Sequence, residues 1–279
     1  MARQAALLSQ DDYVLGHTAQ EYERLRRQAQ VLEPATRRLF HAIDLRSGWR
    51  CLDIGCGPGE CMRLMGEIVG PSGEVTGLDR DGKAGREALE RLQSTGACRY
   101  RFIEANVESI DDIDAPLFDL TFARLALLFT QDPVAVLRKM YRWTKPGGYI
   151  AIQDYHVRTM NLHPQIEAYR ELMQVIIETC ERSGQDMEFA FKLPVYFIEA
   201  GIGPPDGTDM NIPMTSFEPF MAMYQALCRS LLPKAIELGV TNEARMERVF
   251  RDIDRAASDR RHYSALWPLM IGVWKRKPA

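Results

Sequence analysis

No apolar stretch in this chain approaches the roughly 20 residues needed to cross a bilayer, so a helical membrane span is not expected. Charge of one sign is missing as well. A formal net charge of −3 over 279 residues offers no general attraction to nucleic acid or to an anionic membrane. The opening residues, running from Met1-Ala2-Arg3 into Asp11-Asp12, are too short and too soon acidic for a secretory signal. Six cysteines are scattered without a C-x-x-C pair, which fits reduced thiols in the cytoplasm better than a disulfide framework. Cys51, Cys56 and Cys61 are evenly spaced, yet they would lie on a strand, a tight turn and a helix and point in different directions, so no metal is expected. Internal repeats and low-complexity linkers are absent too. What is present is a 46% hydrophobic composition, ample for a core domain with an inserted cap. The expected partner is a small molecule, and a homo-oligomer is left open.

The most informative stretch is Trp49-Arg50-Cys51-Leu52-Asp53-Ile54-Gly55-Cys56-Gly57-Pro58-Gly59-Glu60. An apolar run collapses there into three alternating glycines directly before a helix-like segment. Gly55, Gly57 and Gly59 carry no Cβ, so the chain can bend sharply and bring its N–H groups close to a ligand. A dinucleotide fingerprint would read G-x-G-x-x-G, but its third glycine falls on Glu60. Asp53, at the end of the strand, would repel a pyrophosphate and attract a cationic amino group. S-adenosylmethionine has such a group and no phosphate. Asp79 lies 22 positions after Gly57, at the end of the next strand, where a carboxylate can accept from both ribose hydroxyls.

From 50 to 154 strand-like and helix-like segments alternate, which argues for a parallel sheet covered on both faces. Strands are expected over 51–54, 74–78, 100–103, 117–123 and 149–153, and helices over 60–69 and from 81 to about 94. Asp132-Pro133 starts a further helix as cap and first residue, and Lys145-Pro146-Gly147-Gly148 ends it. Before the glycine turn, Thr18-Ala19-Gln20-Glu21 has the capping-box form, and Pro34 suits the first turn of a second helix through Phe40. After Asp154 the alternation breaks down into helical stretches over 163–184, 188–201 and 242–257. Between them lies a Met- and aromatic-rich stretch, 210–232, with a second capping box at Thr215-Ser216-Phe217-Glu218, and the chain closes on a strand over 266–274. This gives an N-terminal helical segment covering the cofactor site (1–48), a cofactor-binding core (49–154), a mainly helical substrate cap that includes a core strand (155–232) and a C-terminal helix with the final core strand (233–279).

On these residues the chain resembles the class I S-adenosylmethionine-dependent methyltransferases, especially the natural-product tailoring branch related to quinone methyltransferases. The resemblance covers the core from Trp49 to Asp154. It implies an α/β, Rossmann-like, seven-stranded and mostly parallel sheet with helices on both faces, an antiparallel last strand and a helical cap. It also implies S-adenosyl-L-methionine as cofactor, with Asp53, Gly55, Gly57 and Gly59 as the first motif and Asp79 on the ribose, flanked by Arg80. Asn106 and Val107 would face the adenine, Asn106 standing where the family usually has Asp. Ala123 and Arg124 match the segment beside the methionine. Tyr13-Val14-Leu15-Gly16-His17 and Glu21-Tyr22-Glu23-Arg24-Leu25-Arg26-Arg27-Gln28 resemble a preface of this branch. That preface implies a helix folded over the cofactor, with Tyr13 near the sulfonium and Arg24 or Gln28 near the methionine end.

Methyl transfer from a sulfonium is an in-line displacement with a good neutral leaving group, so holding the acceptor in place supplies much of the acceleration. If the acceptor is a hydroxyl or phenol, a base is needed. His156, at the end of the fifth strand, is the first candidate and His17 the second, while Leu127-Leu128-Phe129 fills the region where many relatives carry a histidine. The cap supplies Phe189, Phe191, Tyr196, Phe197, Met210, Met214, Phe217, Phe220, Met221, Met223 and Tyr224, and so much adaptable surface favours a bulky apolar or aromatic acceptor. Two other functions compete. An NAD(P)-dependent oxidoreductase is disfavoured by Glu60 and Asp53, and a non-catalytic partner protein of the same fold by the intact glycines and Asp79.

Overall fold

Apolar runs and amphipathic helices build the core in the alternating order expected. The computed structural model describes residues 18–258 and 262–279. A first helix α1 (Ala19–Ala42) precedes β1 (Arg50–Ile54), α2 (Glu60–Val69), β2 (Glu74–Asp79), α3 (Gly82–Gln93) and β3 (Arg99–Glu104). Then follow β4 (Phe118–Arg124), α4 (Pro133–Trp143), β5 (Thr144–His156), β6 (Asn161–His163), α5 (Glu167–Arg182) and α6 (Phe189–Glu199). The chain continues through β7 (Gly207–Asn211), β8 (Met214–Thr215), α7 (Phe217–Glu237), α8 (Glu243–Ser258), β9 (Ser264–Leu266) and β10 (Leu269–Arg276).

Among the described residues seven strands form one sheet in the order β3-β2-β1-β4-β5-β10-β7. The strands from β1 to β5 pair in parallel, and β10 runs antiparallel to both β5 and β7. This is the Rossmann-like, mostly parallel sheet that the alternation implied. The chain winds outward from β1 to β3 and then crosses back to β4, so the order reverses between β1 and β4. A crevice must open there, at the carboxyl ends of the strands. Both faces of β1 are apolar because both are covered. Cys51 packs with Leu39, Phe40 and Phe122 under α1 and α2, whereas Leu52 and Ile54 pack with Val136, Leu193 and Phe197 under α4 and α6.

A third layer carries its own core. Helices α5, α7 and α8 and the small sheet β6-β9-β8 enclose Tyr169, Phe220, Tyr224 and Trp267, and the rings of Phe220, Tyr224 and Trp267 meet at centroid distances of 4.7–5.8 Å. Helix α6 does not belong to it. Its Phe189 and Phe197 join the sheet core, leaving Phe191 exposed, because the face over β5 and β10 needs a covering helix. Met210 and Met214 are likewise exposed rather than part of a cap core.

Four local expectations change. Pro34 does not start a second helix; it sits inside a continuous α1. The lost N–H bond is outweighed by Leu32, Ala35, Leu39 and Phe40, which all bury on one face. Thr18 caps α1 through the Glu21 N–H (3.1 Å), but the Glu21 carboxylate turns to Arg24 instead of closing the box. The hydroxyl of Thr215 accepts from Trp267 Nε1 (2.9 Å), and the cap of α7 falls to Ser216 without a side-chain bond. Pro268 has no N–H to give a ladder, so the final strand pattern splits into β9 and β10, which enter different sheets.

Candidate functional site

The glycine turn stands at the mouth of the crevice, and its three glycines serve different ends. All have positive φ: 68° at Gly55, 46° at Gly57 and 79° at Gly59. A Cβ on Gly55 would stand 2.5 Å from the Cβ of Ala126, and one on Gly59 2.9 Å from that of Ala88. These two allow close packing. A Cβ on Gly57 would meet nothing within 4 Å, so this glycine opens the backbone to a ligand. Its N–H donates to Asp79 Oδ2 and the Asp81 N–H to Asp79 Oδ1, both at 2.8 Å. Each carboxylate oxygen keeps a further lone pair for a hydroxyl. Burial raises the Asp79 pKa against the pull of these two N–H groups. Asp81 caps α3 through the Ala84 N–H (3.0 Å) and accepts the hydroxyl of Tyr22 from α1 (2.5 Å).

The crevice is a cleft of about 1260 Å³ counted out to its open mouth. Its walls come from the turn, the residues after β2, β3 and β4, and one face of α1. Asp53 lies at its inner end, 1% exposed, with Oδ2 lacking any hydrogen-bond partner. Burial pushes its pKa up to about 7 against the attraction of Arg124, whose guanidinium lines the same cleft and donates to Thr36 Oγ1 (2.8 Å). An orphaned buried carboxylate oxygen is costly unless a donor reaches it, and an ammonium group in the cleft would supply one.

On the opposite wall, Asn106 Oδ1 accepts the Glu108 N–H (2.9 Å). The loop behind it is caged by Lys139, whose ammonium donates to the carbonyls of Val107 (3.0 Å), Glu108 (2.7 Å) and Ile110 (2.6 Å). A single side chain of α4 thus sets the shape of the wall where an adenine would lie.

A second, apolar chamber of about 820 Å³, again including its mouth, adjoins the cleft under the third layer. Leu25, Gln28, Leu125 and Phe129 line both. Leu125 has φ 53°, a left-handed backbone that a bulky side chain rarely adopts, so the partition between the two spaces is itself strained. Met160, Met173, Met187 and Met223 furnish much of the chamber, and among the described residues no Asp, Glu or His lines it.

Of the residues expected to hold a cofactor, Asp53, Gly55, Gly57, Asp79, Arg80, Asn106, Val107, Arg124 and Gln28 come together around the cleft. Gly59 stands behind the turn, and Ala123 is fully buried in the sheet core, as strand alternation requires next to Arg124. Arg24 lines the chamber, not the cleft, and is held by Glu21. Tyr13 and His17 lie outside the described residues. His156 lines neither space; its ring lies 6.2 Å from that of Phe191, on the α6 side. Sequence reasoning missed Tyr22, Asp81 and Leu125 at the cleft and Tyr155 in the chamber. Tyr22, Leu25, Gln28 and Leu32 share a helical spacing of three and four that could have exposed the first.

A crevice at the switch point of a doubly wound sheet, with a glycine turn and an acid after the second strand, defines the Rossmann-like nucleotide-cofactor class. Within that class the chain belongs to the methyltransferase-domain family, whose model matches residues 45–192. Demethylmenaquinone methyltransferase of Anoxybacillus flavithermus is 32% identical over 108 residues, covering 39% of this chain and 45% of its own. The chain spans less than half the length of the curated relatives it matches. Among solved structures, the YcgJ protein of Bacillus subtilis shares the fold at a TM-score of 0.56 and 16% identity, covering 88% of this chain and 99% of its own. The [4+2]-cyclase SpnF shares it at 0.51 and 18%, covering 88% and 81%. The fold therefore does not by itself dictate the reaction, and the site must. The residues of the cleft fit S-adenosylmethionine: a buried acid with one unpartnered oxygen that an ammonium could reach, a guanidinium that a carboxylate could reach, and spare lone pairs on Asp79 that ribose hydroxyls could use.

Proposed function

We propose that the chain catalyses S-adenosylmethionine-dependent methyl transfer to a small, bulky, apolar or aromatic metabolite, in the cytoplasm and in secondary metabolism. The observation that carries this is the shared wall. A polar cleft suited to a charged nucleoside meets an apolar chamber across Leu25, Gln28, Leu125 and Phe129, so two ligands can touch there. When bound, S-adenosylmethionine supplies a methyl group on a positively charged sulfur.

The chain's own contribution is placement. Asp53 and Arg124 hold the amino-acid head, Asp79 the ribose and the Asn106 loop the base. The Met-rich chamber presses the acceptor against the partition and excludes water, and orientation of this kind can supply several kcal/mol of a displacement barrier. No carboxylate or imidazole lines the chamber among the described residues. The reading therefore favours an acceptor atom that needs no proton removed by the protein before attack, with His17 kept as the candidate base should one be needed.

Equilibrium binding tests the assignment. Saturable affinity for S-adenosylhomocysteine without affinity for NADH is expected, followed by incorporation of labelled methyl into apolar aromatic acceptors. Binding of NADH alone would transfer the chain to the oxidoreductases. Cofactor binding with no methyl transfer to any acceptor in a broad panel would point to a non-catalytic partner.

A further inference from the structure

Alternation along β5 sends Gln153 and Tyr155 to the α1 side and Asp154 and His156 away from it. Tyr155 thereby enters the chamber, its ring packed among Leu32, Met270, Leu125 and Val157. The orientation of its hydroxyl follows from a chain of unambiguous donors. Glu21 is fully buried and takes Arg24 through two bonds, Nε at 2.8 Å and Nη2 at 2.5 Å, and also accepts from Ser230 Oγ (2.8 Å). Arg24 Nη1 in turn faces Gln28 at 3.2 Å.

A guanidinium can only donate, so the Gln28 atom facing it is the oxygen, and the amide nitrogen is turned toward Tyr155. That nitrogen reaches the Tyr155 hydroxyl oxygen at 3.5 Å, a long contact but one of fixed sense. The Tyr155 oxygen is thus used as an acceptor, and its proton is left to donate. Among the described residues the Tyr155 hydroxyl makes only this bond, as acceptor, and donates none. A buried donor without a partner is unfavourable, and the chamber is where a partner can come from.

Resting on the methyl-transfer reading and narrowing its substrate, we propose that Tyr155 reads an oxygen of the acceptor. The acceptor is then an uncharged, largely apolar molecule that presents a carbonyl or hydroxyl oxygen beside the partition at Leu125. The remaining chamber chemistry agrees. Burial raises the Tyr155 phenol far above its ordinary value, keeping it a donor, and burial holds the Cys180 thiol protonated at about 12. The charge of Arg24 is answered by Glu21, so an anionic acceptor gains little there. The walls of the chamber are largely thioether and hydrocarbon, among them Met173, Ile176, Met223 and Leu227.

The test uses protein saturated with S-adenosylhomocysteine and two probes of one shape, α-tetralone and tetralin, which differ by a carbonyl oxygen. Wild-type protein is expected to bind the ketone at least about 10-fold more tightly, because a site built to hydrogen-bond an oxygen rejects the analogue lacking it. Tyr155→Phe should bring the two affinities within about 2-fold while S-adenosylhomocysteine still stabilises the protein thermally. Tyr224→Phe, which removes the other chamber phenol, should keep the preference. Equal affinity for the two probes in wild type, failure of both to bind, or a preference that survives Tyr155→Phe or depends on Tyr224 overturns the inference and leaves the cofactor assignment standing. Absence of any S-adenosylhomocysteine binding would sink the methyl-transfer reading, and this inference with it.

Discussion

The cleft and the chamber share a wall and are built on opposite principles. The cleft is lined by a glycine turn, a buried carboxyl group at Asp53, a half-buried one at Asp79 and the guanidinium of Arg124, the three side chains lying at the ends of strands. The chamber is assembled from α1, the turn after β4, the end of β5 and the helices α5 and α7, and it offers mostly thioether and hydrocarbon. Polar, strand-end sites tolerate little change because each group has a direction. An apolar chamber responds to volume, and its four methionines can adjust. Substitutions should therefore separate the two, with cofactor affinity failing in one set and fold stability or acceptor choice in the other.

The largest effect is expected for Asp79→Ala. It removes the acceptor of two backbone N–H bonds and of the ribose hydroxyls together, and calorimetry should show S-adenosylhomocysteine binding weakened by about 3 kcal/mol, with α-tetralone affinity in the chamber little altered. Lys139→Met comes next. Three carbonyls lose their donor at once, so denaturant unfolding should register a loss of about 2–3 kcal/mol, and the freed loop at Val107–Ile110 should weaken the cofactor but not a chamber ligand. Met173→Ala should do the reverse. Truncation of a nearly buried methionine costs about 2 kcal/mol of stability, less than in a sealed core because the site already faces a cavity, while S-adenosylhomocysteine affinity stays unchanged.

Acidity acts on a smaller scale. Burial lifts the Asp53 carboxyl to about 7 and that of Asp154 to about 8, against about 4 in the unfolded chain. Between those limits the folded state binds protons that the unfolded state has released. The stability that these two groups contribute is therefore fully present below about pH 4 and is lost as pH rises toward 7 and 8, by at most about 1.4 kcal/mol per unit for each group. Asp154→Asn should flatten the slope near pH 8 in thermal melts of the ligand-free protein, and a steeper slope in that variant would refute the assignment. The smallest effect belongs to His156→Ala. Because its ring faces Phe191 outside both spaces, the methyl-transfer rate should stay within about 2-fold, and a collapse of the rate would return His156 to the site as a base.

Legibility followed the same division. The glycine turn, Asp53 and Asp79 could be recognised because a tight turn, a strand end and a capped helix leave local signatures within 30 residues. So could the caps at Asp81 and Asp132, which the structure places at the starts of α3 and α4. Lys139 could not, since a lysine on an amphipathic helix reads as solvated until the carbonyls it serves are known. Tyr155 and His156 show the limit most clearly. They are neighbours at one strand end, and histidine is the more familiar catalytic type, yet strand alternation and the position of α1 put the tyrosine inside and the histidine outside. Pro34 failed for a related reason: local chemistry favoured a break, and burial of the following turn decided against it.

By itself, then, the order of residues determined the strand and helix alternation, the glycine turn and the acids at the strand ends beside it, because those features depend on neighbours along the chain. Only the tertiary structure decided what the third layer encloses, which face of β5 enters the chamber, and that Glu21, Arg24 and Gln28 together aim a tyrosine hydroxyl. Those outcomes depend on contacts across as many as 209 positions, as between Glu21 and Ser230, and no local pattern carries the distance or the direction of such a contact.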